Sequence, residues 1–151
     1  MEKNIAKLPE YIVLYIIQYT YNPQKKILLD DIRNFTKSKN ILQYLYYKFW
    51  IIEKGMSVPE HNNWLINDIF GYANNKNALM FGYTDKFLNI FSRNIFLKNN
   101  EKVKIYVDKL EQKDVLEQIN IFLGLLTIEE RKNIISNFLI HNYRNISLNI
   151  H

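Results

Sequence analysis

The chain has 151 residues, enough for one domain that buries a single hydrophobic core. Hydrophobic residues make up 48% and charged residues 23%, which is typical of a globular protein and excludes an intrinsically disordered one. The absence of cysteine excludes disulfides and cysteine-ligated metals. The apolar stretch from Tyr11 to Tyr21 is too short to span a bilayer, so we expect no membrane partner.

The net charge of +5 comes mainly from the N-terminal third of the chain. Lys and Arg outnumber Asp and Glu by 8 to 4 in residues 1–50 and by 5 to 4 in residues 51–100, and they balance at 7 each in residues 101–151. Lys outnumbers Arg by 16 to 4, and the cations are spread along the chain. Because nucleic-acid recognition usually clusters cations and uses Arg, this distribution does not favour a nucleic-acid partner.

The first predicted helix begins at a Leu8-Pro9-Glu10 sequence. Leu8, Ile12 and Ile16 recur every four residues, which predicts one apolar helical face. Pro9 suits the first turn of a helix, where its missing N–H is not needed.

Two further helices are predicted before residue 54. Asn22-Pro23 combines a capping residue with a proline and predicts the start of a second helix that ends near Lys37-Ser38. A third stripe runs from Ile41 to Ile52, and Gly55 is expected to stop it. The segment from Lys54 to Asn63 is the best candidate boundary, with its Asn pair able to cap the next helix.

The remaining chain carries repeated helix signals. Apolar stripes cover the ranges 64–72, 87–91, 103–110, 115–123 and 134–139. Start signals precede three of them: Thr84-Asp85, Asn99 to Glu101, and a capping box formed by Thr127 and Glu130. Residues 78–83 are ambiguous. Since strand-like alternation never persists, the sequence predicts an all-α protein, a compact bundle of about seven or eight short helices.

The sequence shows no catalytic or metal-binding pattern. The three histidines, His61, His141 and His151, are far apart in the sequence; we expect the first in a solvated loop and the others exposed in the tail. Asp30-Asp31 is expected on a solvated face and Glu129-Glu130 at a helix start. The four isolated glycines cannot form a phosphate-binding loop. We therefore expect no enzyme activity, no cofactor and no metal.

The N-terminal fifty residues resemble an F-box, the helical module that docks substrate receptors onto cullin ubiquitin ligases. The resemblance lies in Leu8-Pro9 followed by Ile12 and Ile16, in Leu28-Leu29, and in a third helix that ends near Trp50. It implies that the protein docks a Skp-type adaptor. By resemblance, the docking residues are Leu8, Pro9, Ile12, Ile16, Leu28 and Leu29.

Longer stretches are similar to small F-box-like proteins of giant nucleocytoplasmic DNA viruses, among them Leu28 to Ile32, Trp64 to Asp68 and Leu123 to Thr127. This similarity implies a viral protein in the host cytoplasm or nucleus. It divides the chain into an F-box-like three-helix segment (1–52), a helical segment (53–140) and a tail (141–151).

Two other functions stay open. Tyrosines crowd the first fifty residues, and tyrosine suits an interface because it buries a ring while its hydroxyl stays hydrated. The first alternative is therefore a structural viral protein that self-associates, and the second is a weak nucleic-acid binder. The sequence does not determine the oligomeric state.

Overall fold

A computed structural model describes residues 9–20 and 24–143, without the side chains of residues 17–20 and 79. This part of the chain is all-α, as predicted: it contains seven α-helices and no strand. The helices are α1 (Glu10–Thr20), α2 (Lys26–Tyr46), α3 (Glu60–Ala73), α4 (Asp85–Phe91), α5 (Asn100–Leu110), α6 (Val115–Leu125) and α7 (Ile128–Tyr143). A π-helical segment (Tyr47–Glu53) follows α2, and a 3₁₀ turn (Leu79–Phe81) precedes α4.

The chain divides into two compact units between Asp30 and Asp31. The first unit holds α1 and the beginning of α2. The second holds the rest of α2 and all later helices. The functional division that we expect after residue 52 stays a prediction.

The helix break predicted near Lys37-Ser38 is wrong, because α2 runs through both residues without interruption. The polar residues here are compatible with a helix. The Ser38 side chain is buried and donates to Asn34 Oδ1 at 3.3 Å, while Thr36 Oγ1 donates to the Ile32 carbonyl at 3.2 Å. Since these hydroxyls are satisfied within the helix, they do not terminate it.

The π-helical segment covers the residues that the sequence predicts to be the C-terminal half of a separate third helix. Its wider turn is closed by the Lys54 N–H, which donates to the Phe49 carbonyl five residues back at 3.0 Å. Gly55 follows with φ of +69°, so the glycine stop signal is confirmed. Phe49 is buried within the segment, and Trp50 stacks on Trp64 of α3 with ring centroids 4.5 Å apart.

The predicted start signals are confirmed at three helices. Thr84 accepts from the Phe87 N–H, and Asn99 accepts from the Lys102 N–H. Thr127 and Glu130 form a reciprocal capping box: Glu130 N–H donates to Thr127 Oγ1 at 3.2 Å, and Thr127 N–H donates to Glu130 Oε2 at 2.8 Å. The Asn cap expected for α3 is wrong, because that helix begins at Glu60 and Asn62 is buried in its first turn.

The hydrophobic core of the described residues lies entirely in the second unit, between Leu42 and Phe138. Helices α3 and α6 pack closely on each other at its centre. Aromatic rings fill much of the space: Phe122 lies 5.2 Å from Phe91 and 5.6 Å from Phe70, measured between ring centroids.

A buried cation joins three helices of this unit. The Arg131 side chain is fully buried at the start of α7. It donates from Nη1 to the Leu123 carbonyl of α6 at 3.2 Å, and from Nη2 to Asp31 Oδ1 of α2. Its guanidinium carbon also lies 6.0 Å from the centre of the Phe35 ring. The solvated face predicted for Asp30-Asp31 is confirmed for exposed Asp30, and the Asp31 side chain is still 43% exposed, but its carboxylate is bound to a partner one hundred residues away that the sequence did not predict.

A second ion pair holds the start of α7 to the residues after α4. Arg93 donates to both carboxylate oxygens of Glu130, at 2.5 and 2.9 Å, and to the Leu125 carbonyl at 2.8 Å. The hydrogen bond from Arg93, assisted by the one from the Thr127 N–H, lowers the pKa of Glu130 to about 2, although burial acts in the opposite direction. The placement of Glu129-Glu130 at a helix start is confirmed.

We predict that Asp31→Ala lowers the free energy of unfolding by roughly 2–4 kcal/mol, because it leaves the buried Arg131 guanidinium without a counter-charge. Adding Arg131→Met removes that buried charge, so the double variant should be more stable than Asp31→Ala alone. Urea unfolding measures both. Asp108→Ala, at an exposed aspartate, is the matched control. A double variant that is less stable than Asp31→Ala would contradict this account.

Glu130 should make stability depend on pH. Because its pKa is lowered in the folded protein, its contribution is present above the ordinary value of 4.5 and is lost as the pH falls towards 2. Glu130→Gln should therefore cost roughly 1–2 kcal/mol at neutral pH, a modest value because Arg93 is partly exposed. The difference from wild type should shrink steadily below pH 4.5. A difference that does not change with pH in urea titrations would refute the assignment.

Candidate functional site

The predicted docking residues of the first unit lie on exposed or half-exposed helix surfaces. Leu8 lies outside the described residues. Pro9 is exposed just before α1. Ile12 is half-buried and Ile16 is 46% exposed, and these two share one face of α1 because they are four residues apart.

The other two docking residues lie in the first turn of α2. Leu28 is 46% exposed and Leu29 is half-buried. None of the described docking residues belongs to the hydrophobic core. Trp50, which carried the end of the F-box resemblance, lies in the second unit and packs against Trp64.

The structure places one histidine, His61, differently from the sequence prediction. His61 lies in the first turn of α3 and not in a loop; it is half-buried, and burial lowers its pKa. Its ring meets Tyr47 edge-on at 5.5 Å. His141 is exposed as predicted, within the last turn of α7, and His151 lies outside the described residues. In residues 9–20 and 24–143 no three His, Asp or Glu side chains come close enough to hold a metal ion.

A cavity of about 360 Å³ lies in the second unit, between the end of α2 and the C-terminal halves of α3 and α7. This size is within the range of small-molecule sites. The lining residues are Tyr46, Asp68, Gly71, Tyr72, Lys76, Ile134, Asn137, Phe138, His141 and Asn142.

The floor of this cavity is aromatic and its rim is polar. Tyr46 is 1% exposed and Phe138 is 5% exposed, and their ring centroids lie 4.2 Å apart. The rim consists of exposed polar side chains: Asp68, Lys76, Asn137 and His141. His141 Nδ1 lies 2.8 Å from the Asn137 carbonyl, so its other ring nitrogen is left for a further partner.

A phenol–carboxylate hydrogen bond fixes one side of the rim. The Tyr46 hydroxyl donates to Asp68 Oδ2 at 2.5 Å. Burial, followed by this bond and by the nearby Asp68 charge, raises the pKa of Tyr46 well above its ordinary value. The phenol therefore stays protonated and donates to the carboxylate, which orients Asp68 at the cavity mouth.

The opposite charge on the rim is positioned by the end of α3. The helix ends in a Schellman motif, in which the Lys76 N–H donates to the Gly71 carbonyl at 2.7 Å and the Asn75 N–H donates to the Tyr72 carbonyl. Asn75 and Lys76 both have positive φ, of 52° and 61°. The turn that ends α3 thereby places Lys76 among the residues that line the cavity.

The sequence did not reveal this cavity, because its walls come from helices far apart in the chain. One local signal was present: Asp68 interrupts the apolar stripe of α3 between Leu65 and Ile69, both fully buried. An acid next to such a stripe is a candidate for a partnered or functional carboxylate. Nothing in the local sequence distinguishes Lys76 from the other lysines.

No protein-family model, curated protein or solved structure matches this chain. Function is therefore inferred from its own residues. No helix in the described ranges combines the length and apolarity that crossing a membrane requires.

We predict that Tyr46→Phe lowers the free energy of unfolding by roughly 1–2 kcal/mol, because it removes a buried donor to a charged acceptor while keeping the ring. Tyr106→Phe is the matched control, since Tyr106 is half-buried and its hydroxyl has no hydrogen-bond partner among the described residues. Urea unfolding compares the two variants. Equal effects would show that the Tyr46–Asp68 bond contributes nothing specific.

Proposed function

We propose that this chain is a non-enzymatic, F-box-like interaction protein that docks a Skp-type subunit of a cullin ubiquitin ligase. The observation that carries the proposal is the exposure of Pro9, just before α1, and of Ile16 on α1. An anchor residue must be accessible before a partner can bury it, and a helix that presents apolar side chains at i and i+4 suits a groove on that partner.

The surroundings of Ile16 also support a protein interface. From Pro9 to Ile16 no side chain is buried, although most are apolar. Tyr11, Leu14 and Tyr15 are all exposed in this stretch. Large aromatic and aliphatic side chains in one short segment are the residue types that contribute most to the cores of interfaces.

On this proposal Leu28 and Leu29 extend the docking surface at the start of α2, and the 53–140 segment provides a second, substrate-facing or packing part. The relation to small proteins of giant DNA viruses is part of the same proposal. It places the protein in the host cytoplasm or nucleus, where cullin ligases act.

A pull-down with a purified Skp-type adaptor tests the proposal. Wild type should bind, and Ile16→Asp should weaken binding roughly thirtyfold, because truncating or charging a central anchor costs on the order of 2 kcal/mol or more. Ile105→Asp on α5 is the matched control, since that isoleucine has a similar exposure of 51% and lies outside the surface. It should bind like wild type, and so the loss would not reflect a general effect of a new charge.

The double variant Pro9→Ala/Ile12→Asp should also abolish adaptor binding, with circular dichroism confirming that the helices remain. Absence of adaptor binding by wild type would refute the adaptor proposal. An equal loss of binding in Ile16→Asp and Ile105→Asp would show that the α1 surface is not the docking surface.

Self-association is the second candidate, and the same exposed residues of α1 favour it. Sedimentation velocity separates the two functions. A concentration-dependent oligomer that Ile16→Asp dissolves, without adaptor binding, would support a structural protein that assembles through this surface.

A further inference from the structure

Two residues of opposite charge line the cavity of the second unit without being paired to each other. Asp68 and Lys76 both line it, yet they form no ion pair. Among the described residues, the one hydrogen-bond partner of the Asp68 side chain is the neutral Tyr46 hydroxyl, and the Lys76 ammonium has none. Asp68 is therefore oriented by a neutral donor, the Lys76 ammonium is unpaired among the described residues, and both charges are available to a ligand.

The floor of the cavity suits an apolar group. Tyr46 and Phe138 present buried aromatic surface there, and Ile134 adds an aliphatic side chain. The polar groups, in contrast, are confined to the rim. A ligand that fits this division has an apolar body and a charged head that carries both signs.

We infer that this cavity binds a small zwitterion of the amino-acid type, with its ammonium on Asp68, its carboxylate on Lys76 and its apolar side chain on the Tyr46–Phe138 floor. The rim side chains of Asn137 and His141 provide further donors and acceptors for the head group. This inference is independent of the adaptor proposal, because none of the proposed docking residues lines the cavity.

Charge complementarity favours a zwitterion over a ligand with one charge. A simple amine would satisfy Asp68 but would bring a second cation near Lys76, and a simple acid would satisfy Lys76 but would bring a second anion near Asp68. Only a head with both charges gains two charge-assisted hydrogen bonds without such repulsion.

Three probes with the same aromatic body test this reasoning: L-phenylalanine, 2-phenylethylamine and 3-phenylpropanoate. They differ only in whether the head carries both charges, the positive one or the negative one. In calorimetric titrations of the full chain, L-phenylalanine should bind, and each single-charge probe should bind roughly tenfold more weakly or not at all. L-leucine, L-methionine, L-tryptophan and L-tyrosine are titrated beside it, so that a different preferred side chain would also be found.

Two variants assign the binding to this cavity. Asp68→Asn keeps an acceptor for the Tyr46 hydroxyl but removes the negative charge, and it should weaken binding of the zwitterion roughly tenfold. Lys76→Asn removes the positive charge with a residue that tolerates the positive φ at this position, and it should have a similar effect. Asp108→Asn and Lys104→Asn, exposed on α5, are the matched controls and should bind like wild type.

The charge pattern of the losses gives a second readout. Asp68→Asn should abolish the preference for phenylalanine over 3-phenylpropanoate. Lys76→Asn should abolish the preference for phenylalanine over 2-phenylethylamine. No binding by any of the five amino acids at about 10 mM, a weak limit on the affinity scale, would overturn the inference. Binding that both variants leave unchanged would overturn it as well, as would equal affinity for the three probes.

Discussion

The second unit depends on the burial of one guanidinium. Arg131 is wholly removed from water, and leaving its charge unpaired would cost several kcal/mol, which is a large share of the net stability of a domain. Two of its nitrogens are bound by groups from two other helices, Nη2 by Asp31 of α2 and Nη1 by the Leu123 carbonyl of α6, while Nε has no hydrogen-bond partner among the described residues. Pairing the arginine requires these two helices to meet around α7, which makes the arginine a constraint on their packing.

Two of these helices, α2 and α7, also contribute walls to the cavity. Early residues of α2 and α7 meet at Asp31 and Arg131, and later residues meet where the rings of Tyr46 and Phe138 pack together. The uninterrupted course of α2 is what allows both contacts. A break at Lys37-Ser38 would separate the residue that compensates the buried charge from the ring that forms the cavity floor.

The parts of the fold that were predictable from the sequence depend on local chemistry. The caps at Thr84, Asn99 and Thr127 involve side chains three residues from the N–H groups that they satisfy, so their signals lie within a few letters of sequence. The continuity of α2 was missed because buried Ser38 occupies a core-facing position that the apolar pattern reads as a gap. The roles of Asp31 and of the cavity residues were missed because their partners are distant in the chain, and a single sequence carries no record of such contacts.

The left-handed residues at the end of α3 connect this packing with the proposed ligand site. Asn tolerates positive φ well, but a lysine in this region costs on the order of 1 kcal/mol relative to glycine. A helix could end in a single left-handed residue, so the second one is not required by termination alone. The Lys76 backbone is fixed there by its N–H bond to the Gly71 carbonyl, and the residue lines the same cavity as Asp68. Backbone strain clusters at ligand and active sites, so strain at a residue that lines the cavity agrees with the proposed ligand site.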